Sequence, residues 1–301
     1  MTVQSPWFQR LAKKVVSEGE AMSPGELGAC NKTLLIEMSW ELIRRARSPH
    51  VVGESLEWLE FLSFSLTRRQ GNGQLLQDLW VLWETRNQPQ PFEGYFVEFG
   101  ACDGRNISNT YLLEKEYGWS GIVAEPNPRF SGALRKNRSC SISTDCVYSS
   151  TGLTVPFKVV AKGEYSGLVK HLADDKHAAK REDDILVTDV TTISLADLLD
   201  VHGAPDRIDY LSIDTEGSEF EILSAYPFSE RPIGLITVEH NGTSAREQIY
   251  ELLTANGYRR KFAGFSRWDD WYVLESPHPS VKRTQTRKSV PKPARGRRRK
   301  R

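Results

Sequence analysis

Cysteine is scarce in this 301-residue chain: there are four, Cys30, Cys102, Cys140 and Cys146, and no two of them form a C-x-x-C pair. That spacing argues against the common zinc sites. A chain of this length also has no need of disulfide staples, so free thiols are expected. Long apolar runs are missing too, and none approaches the roughly 18 uncharged residues that a membrane span requires. The opening "MTVQSPWFQRLAKKVVSEGE" carries charge throughout and holds no apolar core of a secretory signal. These absences lead us to expect a cytoplasmic protein with no membrane span. There is no internal repeat, and no RRM-type or zinc-finger motif for nucleic acid.

Charge is plentiful, but it is unevenly placed. Lys and Arg number 40 against 39 Asp and Glu; eleven of the basic residues, and no acid, fall in 282–301. The rest of the chain therefore carries 29 basic against 39 acidic side chains, a balance of −10. The tail "RGRRRKR" can bind an anionic partner, whether nucleic acid, membrane surface or acidic protein, or it can be a solvated, disordered end. The acidic body argues against nucleic acid as the main substrate, because counterion release needs a basic surface around the site.

The chain divides into three regions by texture. Residues 1–90 read as a helical N-terminal extension. Its segments are "NKTLLIEMSWELIRRAR", "GESLEWLEFLSFSLTRRQ" and "GNGQLLQDLWVLWETRN", closed by the proline-broken "NQPQPFEG". Residues 91–276 alternate strands and helices, the pattern of a parallel α/β sheet. The strand candidates are "YFVEF", "GIVAE", "SISTDCVY", "RIDYLSID" and "IGLITVEH". "GYRRKFAGF" and "DWYVLE" read as an antiparallel edge pair, and "TVPFKVVA" with "DILVTDVTTIS" as an inserted hairpin. Residues 277–301 read as a disordered basic tail.

In such a sheet ligands sit beyond the carboxyl ends of the strands. Here those ends are "EFGACDG", "EPNP", "TDC", "DTEGSE" and "EHN", so almost every one carries a carboxylate. The first loop has the spacing E-x-G-x-x-x-G and not the G-x-G-x-x-G that seats a pyrophosphate. Its Glu98 would repel a pyrophosphate and attract a cationic amine. Glu125, ending the next strand, is placed to accept hydrogen bonds from two ribose hydroxyls. A cofactor with a ribose and a positive charge but no phosphate at the loop fits S-adenosylmethionine better than NAD. Glycines that serve only packing are the plainer alternative.

"FVEFGACDGRNISNTYLLEKEYGWSGIVAEPNPRF", "IDYLSIDTEGSEFEIL" and "ITVEHN" occur in this order over about 180 residues. This segment resembles the FkbM-type methyltransferases, class I S-adenosylmethionine-dependent enzymes. The resemblance implies a Rossmann-like, seven-stranded sheet of order 3-2-1-4-5-7-6. It implies that Glu98, Gly100, Ala101, Asp103 and Gly104 border the methionine side of the cofactor, that Glu125 holds the ribose, and that Asp145 and Cys146 flank the adenine. It also implies an O-methyltransferase acting on a sugar, glycan or other small natural product. Two alternatives stay open: a protein or nucleic-acid target reached through the tail, and a non-catalytic binding module on the same fold.

The acceptor side is marked less clearly. Asp214 ends a strand facing the transferred methyl, and His240 is the base candidate by intrinsic pKa. Alternatively Asp214, Glu239, Asp269 and Asp270 gather around a hard divalent cation. His240 can also be structural, Glu219 can sit in a helix first turn favoured by the dipole, and Asp269 and Asp270 can simply start the last strand. Trp268 and Trp271 can roof the pocket or belong to the core. Oligomeric state is not legible in the sequence.

Overall fold

The computed structural model describes residues 52–66, 68, 71–160, 163–172, 186–264 and 266–275. The first helix read from the sequence, 31–47, and the basic tail lie outside them. Two helices come first, α1 (Val52–Leu66) and α2 (Gln77–Glu84). In α1 the buried Trp58, Leu59, Phe61, Leu62 and Ser65 recur at helical spacing and form one face. Every residue of α2 from Gln77 to Trp83 is buried, so this helix is enclosed on all sides.

A seven-stranded sheet follows, built from β1 (Tyr95–Phe99), β2 (Ser120–Ala124), β3 (Ser141–Ser143), β8 (Ile208–Ile213), β9 (Ile233–Glu239), β10 (Tyr258–Lys261) and β11 (Asp269–Leu274). Its order is β10-β11-β9-β8-β1-β2-β3; β11 runs antiparallel to both its neighbours, β9 and β10, and the remaining pairs are parallel. Counted within the sheet, this is 3-2-1-4-5-7-6, as the resemblance implied. The crossovers are α3 (Tyr111–Tyr117), α4 (Ser131–Asn137), α5 (Leu195–Val201), α6 (Glu219–Ser224) and α7 (Ala245–Ala255).

Both faces of the sheet are covered, which is why its strands are apolar in nearly every position. Phe96, Val123, Tyr210, Leu235 and Trp271 point to one face and share a core with α1 and α2. Val97, Phe99, Ile122, Leu211, Ile236 and Tyr272 point to the other, with Leu198, Ile222 and Ile249 from α5, α6 and α7. Helices α1 and α2, which precede the linker at 87–94, thus pack into the same core as the sheet. Trp271 settles as core, with ring contacts to Trp58, Phe61, Trp80 and Phe262.

A second sheet of order β4-β7-β5-β6 is formed by β4 (Cys146–Tyr148), β5 (Thr154–Val159), β6 (Gly167–Leu168) and β7 (Leu186–Ser194). The inserted hairpin is present as the antiparallel β5–β7 pair. "SISTDCVY", read as one strand, is instead split between the two sheets. The Asp145 N–H donates to Ser143 Oγ (3.2 Å), and that local side-chain bond competes with the ladder and turns the chain.

Candidate active site

Gly100 follows β1 with φ +69°, and a Cβ there would lie 1.9 Å from the carbonyl oxygen of Asp214. Only glycine allows the loops after β1 and β8 to approach so closely. Between these loops and the end of β2 lies a cleft of about 950 Å³, its open mouth included. Three non-glycine residues with positive φ line it: Cys102 (48°), Ile107 (54°) and Glu216 (58°). Backbone strain of this kind costs about 1–3 kcal/mol per residue and concentrates at functional sites.

Glu98 lines the cleft, but its carboxylate is held by the protein itself. It accepts hydrogen bonds from Ser108 Oγ (2.8 Å), the Asn109 N–H (2.7 Å) and Thr110 Oγ1 (2.6 Å), and pairs with Arg138 Nη1 at 3.2 Å. Arg138 is enclosed and also binds Glu114 and the carbonyl of Gly104. Burial works to raise the Glu114 carboxyl, but Lys115 and Arg138 outweigh it and bring it down to about 2. Glu98 therefore clamps the loop at 104–110 instead of offering a bare charge to an amine. The acceptor left open in the cleft is Asn109 Oδ1, buried with no partner, while Asn109 Nδ2 donates to Ser212 Oγ at 2.9 Å.

Asp103 and Gly104 shape this loop and are not on the cleft wall. Asp103 Oδ1 accepts from the N–H groups of Arg105 (2.9 Å) and Asn106 (2.8 Å). Gly104, at φ +74°, packs against Leu134 and Arg138. Ala101, beside Gly100, does line the wall. Glu125 is buried at the end of β2 and accepts from the N–H groups of Cys102 (2.9 Å) and Asn127 (2.8 Å). Burial outweighs these two bonds and pushes its carboxyl up to about 7. Cys146 forms a low-polarity patch of wall, its thiol pushed up to about 12 by burial. Asp145 lies off the wall, bonded to Ser143.

At the β8 and β9 ends, Asp214, Glu216 and Glu239 each place a carboxylate oxygen within 4.8 Å of the others. Burial, followed by the charges of Glu216 and Asp269, pushes Asp214 well above the usual carboxylate range. Glu239 is raised likewise by burial and then by Asp214 and Glu216. Glu219 sits in the first turn of α6 and accepts from the N–H groups of Thr215 (2.9 Å) and Gly217 (3.0 Å).

His240, the base candidate, is enclosed by local partners. Its side chain is 1% exposed, Nδ1 accepts from the Gly242 N–H (2.9 Å), and Nε2 lies 3.4 Å from Ser266 Oγ and 3.7 Å from Asp270. His240 is not on the cleft wall; it lines the groove beyond, and its ring braces the loop after β9. Asp269, paired in register with Glu239, and Asp270 are not among the three clustered carboxylates and have partners of their own. Asp270 pairs with Arg246 (2.8 Å) and Arg260 (3.2 Å), whereas Asp269 accepts from Gln77 Nε2 at 2.6 Å. Burial pushes Asp269 up to about 7. Gln74 and Gln77 line the cleft from the N-terminal segment. In the sequence, the only signal of this is an amide opening the apolar run "QDLWVLW", a polar side chain that needs a buried partner.

A doubly covered sheet of this order, with a glycine-walled cleft at its carboxyl ends, defines the class I methyltransferase fold. The methyltransferase FkbM domain matches residues 98–260, more than half of the chain, and the chain belongs to this family. It is an S-adenosylmethionine-dependent methyltransferase. No curated protein sequence matches the chain. Among solved structures it is similar to the METTL16 MTase domain, at 13% identity over 91% of this chain and 94% of that one, with a TM-score of 0.38. The precorrin-6y C5,15-methyltransferase from Geobacter metallireducens GS-15 aligns at 15% identity over 69% and 87%, with a TM-score of 0.33. The N-terminal domain of human METTL16 in complex with SAH aligns at 12% identity over 66% and 69%, with a TM-score of 0.34. The assignment rests on the domain match and the sheet order, not on these distant likenesses. Among the described residues no helix is long and apolar enough to cross a membrane.

The cleft suits the methyl donor on its own terms. Asn109 Oδ1 is an unpaired acceptor for an ammonium group, Gly100 leaves room for close approach, and Glu125 stands where hydroxyls can donate to it.

Proposed function

We propose that the methyl acceptor is a hydroxyl of a sugar, glycan or other small natural product. The observation that supports this best is the cluster of Asp214, Glu216 and Glu239 at the end of the cleft. A hydroxyl is a weak nucleophile until its proton is drawn away, and carboxylates placed beside it are suited to assist that loss. The groove beyond, which shares Glu216 with the cleft, is lined by polar residues such as His171, Asn241, Thr243 and Gln248. Such a lining fits a ligand rich in hydroxyls. Its Glu216 and Glu219 oppose a phosphate backbone, which weighs against a nucleic-acid target.

S-adenosylmethionine supplies a methyl group on a sulfonium that leaves as a neutral thioether. The residues of the chain then have to align the acceptor oxygen and exclude water, which accounts for much of the rate in such transfers. The close approach of Gly100 to Asp214 fixes the two loops that set this alignment. His240 acts in this reading as a positioning residue for the loop after β9.

The test is a labelled-methyl screen against glycans and small alcohols, run with the full chain and with a chain ending at residue 276. Label in a hydroxyl acceptor, equal for both chains, is the expected result. Label only in protein or nucleic acid, and lost with the tail, supports the tail-directed alternative and contradicts this one. A chain that fails to bind the methyl donor in calorimetry reduces the fold to a binding module.

A further inference from the structure

The chemistry around Glu239 goes beyond proton transfer. Its carboxylate closes β9 and is 7% exposed, and Oε2 has no hydrogen-bond partner. A buried carboxylate oxygen left unpaired is costly, and removing it from water requires a compensating charge or donor. Among the described residues no cation pairs with Glu239 or Asp214: Arg246 and Arg260 are on Asp270, and His240 faces Ser266 and Asp270. The third member, Glu216, is carried at φ +58°, a strained conformation that brings its side chain to the same point.

We propose that Asp214, Glu216 and Glu239 form a binding site for a hard divalent cation of the Mg²⁺ type. The three oxygens lie within 4.8 Å of one another. Around such an ion, ligand oxygens at about 2.1 Å stand roughly 3 Å apart when adjacent and 4.2 Å when opposed, so a small closure seats it. The donor set is all oxygen and anionic, which favours Mg²⁺, Mn²⁺ or Ca²⁺ over softer metals. Asp214 also lines the cofactor cleft and Glu216 the outer groove, so a cation held here borders both. Its charge lowers the pKa of an acceptor hydroxyl brought beside it. That role rests on the hydroxyl-acceptor reading above, whereas the binding itself does not. Asp269 and Asp270, included in the sequence-based ligand set, are replaced here by Glu216.

Mn²⁺ titration of the full chain, followed by electron paramagnetic resonance without methyl donor or acceptor, tests the site. One Mn²⁺ per chain, displaced by excess Mg²⁺, is expected. Glu239→Gln and Asp214→Asn should each weaken binding roughly tenfold or more, while the exposed Glu251→Gln on α7 should not. Mn²⁺ should also raise the thermal midpoint of the wild type. If either variant fails to fold, Glu216→Gln carries the same expectation. Free Mn²⁺ throughout the wild-type titration, or equal affinity in wild type and variants, overturns the proposal. Methyl transfer that persists in EDTA with no Mn²⁺ bound removes the metal and leaves the acceptor reading standing. Mn²⁺ bound at this site with no hydroxyl methylated does the reverse.

Discussion

Glu98, Glu125 and His240 show how far single residues can be read. The sequence places all three at strand ends, and the structure has them there. Their partners are what it hides. Arg138, which neutralises Glu98 at 3.2 Å, comes from a basic run that looks solvated. Arg138→Met leaves Glu98 without its buried cation and should cost about 3–5 kcal/mol in urea unfolding. Glu125 differs because burial lifts it to about 7 from 4.5. The folded chain then holds a proton that the unfolded chain has lost, so this residue's contribution to stability declines between those pH values and is level above them. If the methyl donor's hydroxyls bond to the ionised form, affinity should rise with pH through about 7. Glu125→Ala should weaken donor binding more than it slows turnover at saturation, and Glu125→Gln should flatten the pH profile. Calorimetry across pH 6 to 8, a window spanning about one unit either side of the folded pKa, decides this; pH-independent wild-type affinity contradicts it.

At the scale of elements, periodicity carried most of the information. Strands buried on both faces are continuous apolar runs, and the helices between them have one apolar side, so β1, β2, β8 and β9 were legible. The β3–β4 break was not, because a turn set by Ser143 and Asp145 interrupts a sequence of uniform strand character. The packing of α1 and α2 was also hidden: nothing local in "EWLEFL" specifies that Trp58 meets Trp271 and Phe262. Trp271→Ala empties that junction and should cost about 3–5 kcal/mol, measured by chemical denaturation. Gly100→Ala acts between elements, since the new methyl group meets backbone that cannot move aside. It should separate the β1 and β8 loops and abolish turnover, and retained activity would show that the loops can part without harm.

Across the whole molecule, the −10 balance of the chain before residue 282 and the acidic cleft end point the same way. A polyanion gains little from such a surface, and the eleven basic residues of 282–301 carry the opposite sign. Removing the tail should leave methylation of a hydroxyl acceptor unchanged at any salt concentration. The FkbM match and the sheet order establish a methyltransferase; the proposal of an oxygen nucleophile draws its support from the carboxylates at the far end of the cleft. That last step is the central claim, and the chemistry of the product tests it most directly. Turnover with S-adenosylmethionine carrying a ¹³C methyl group, read by NMR, should yield a methoxy carbon on the acceptor and none with Asp214→Asn. An N-methyl or C-methyl signal from the same reaction would contradict the account.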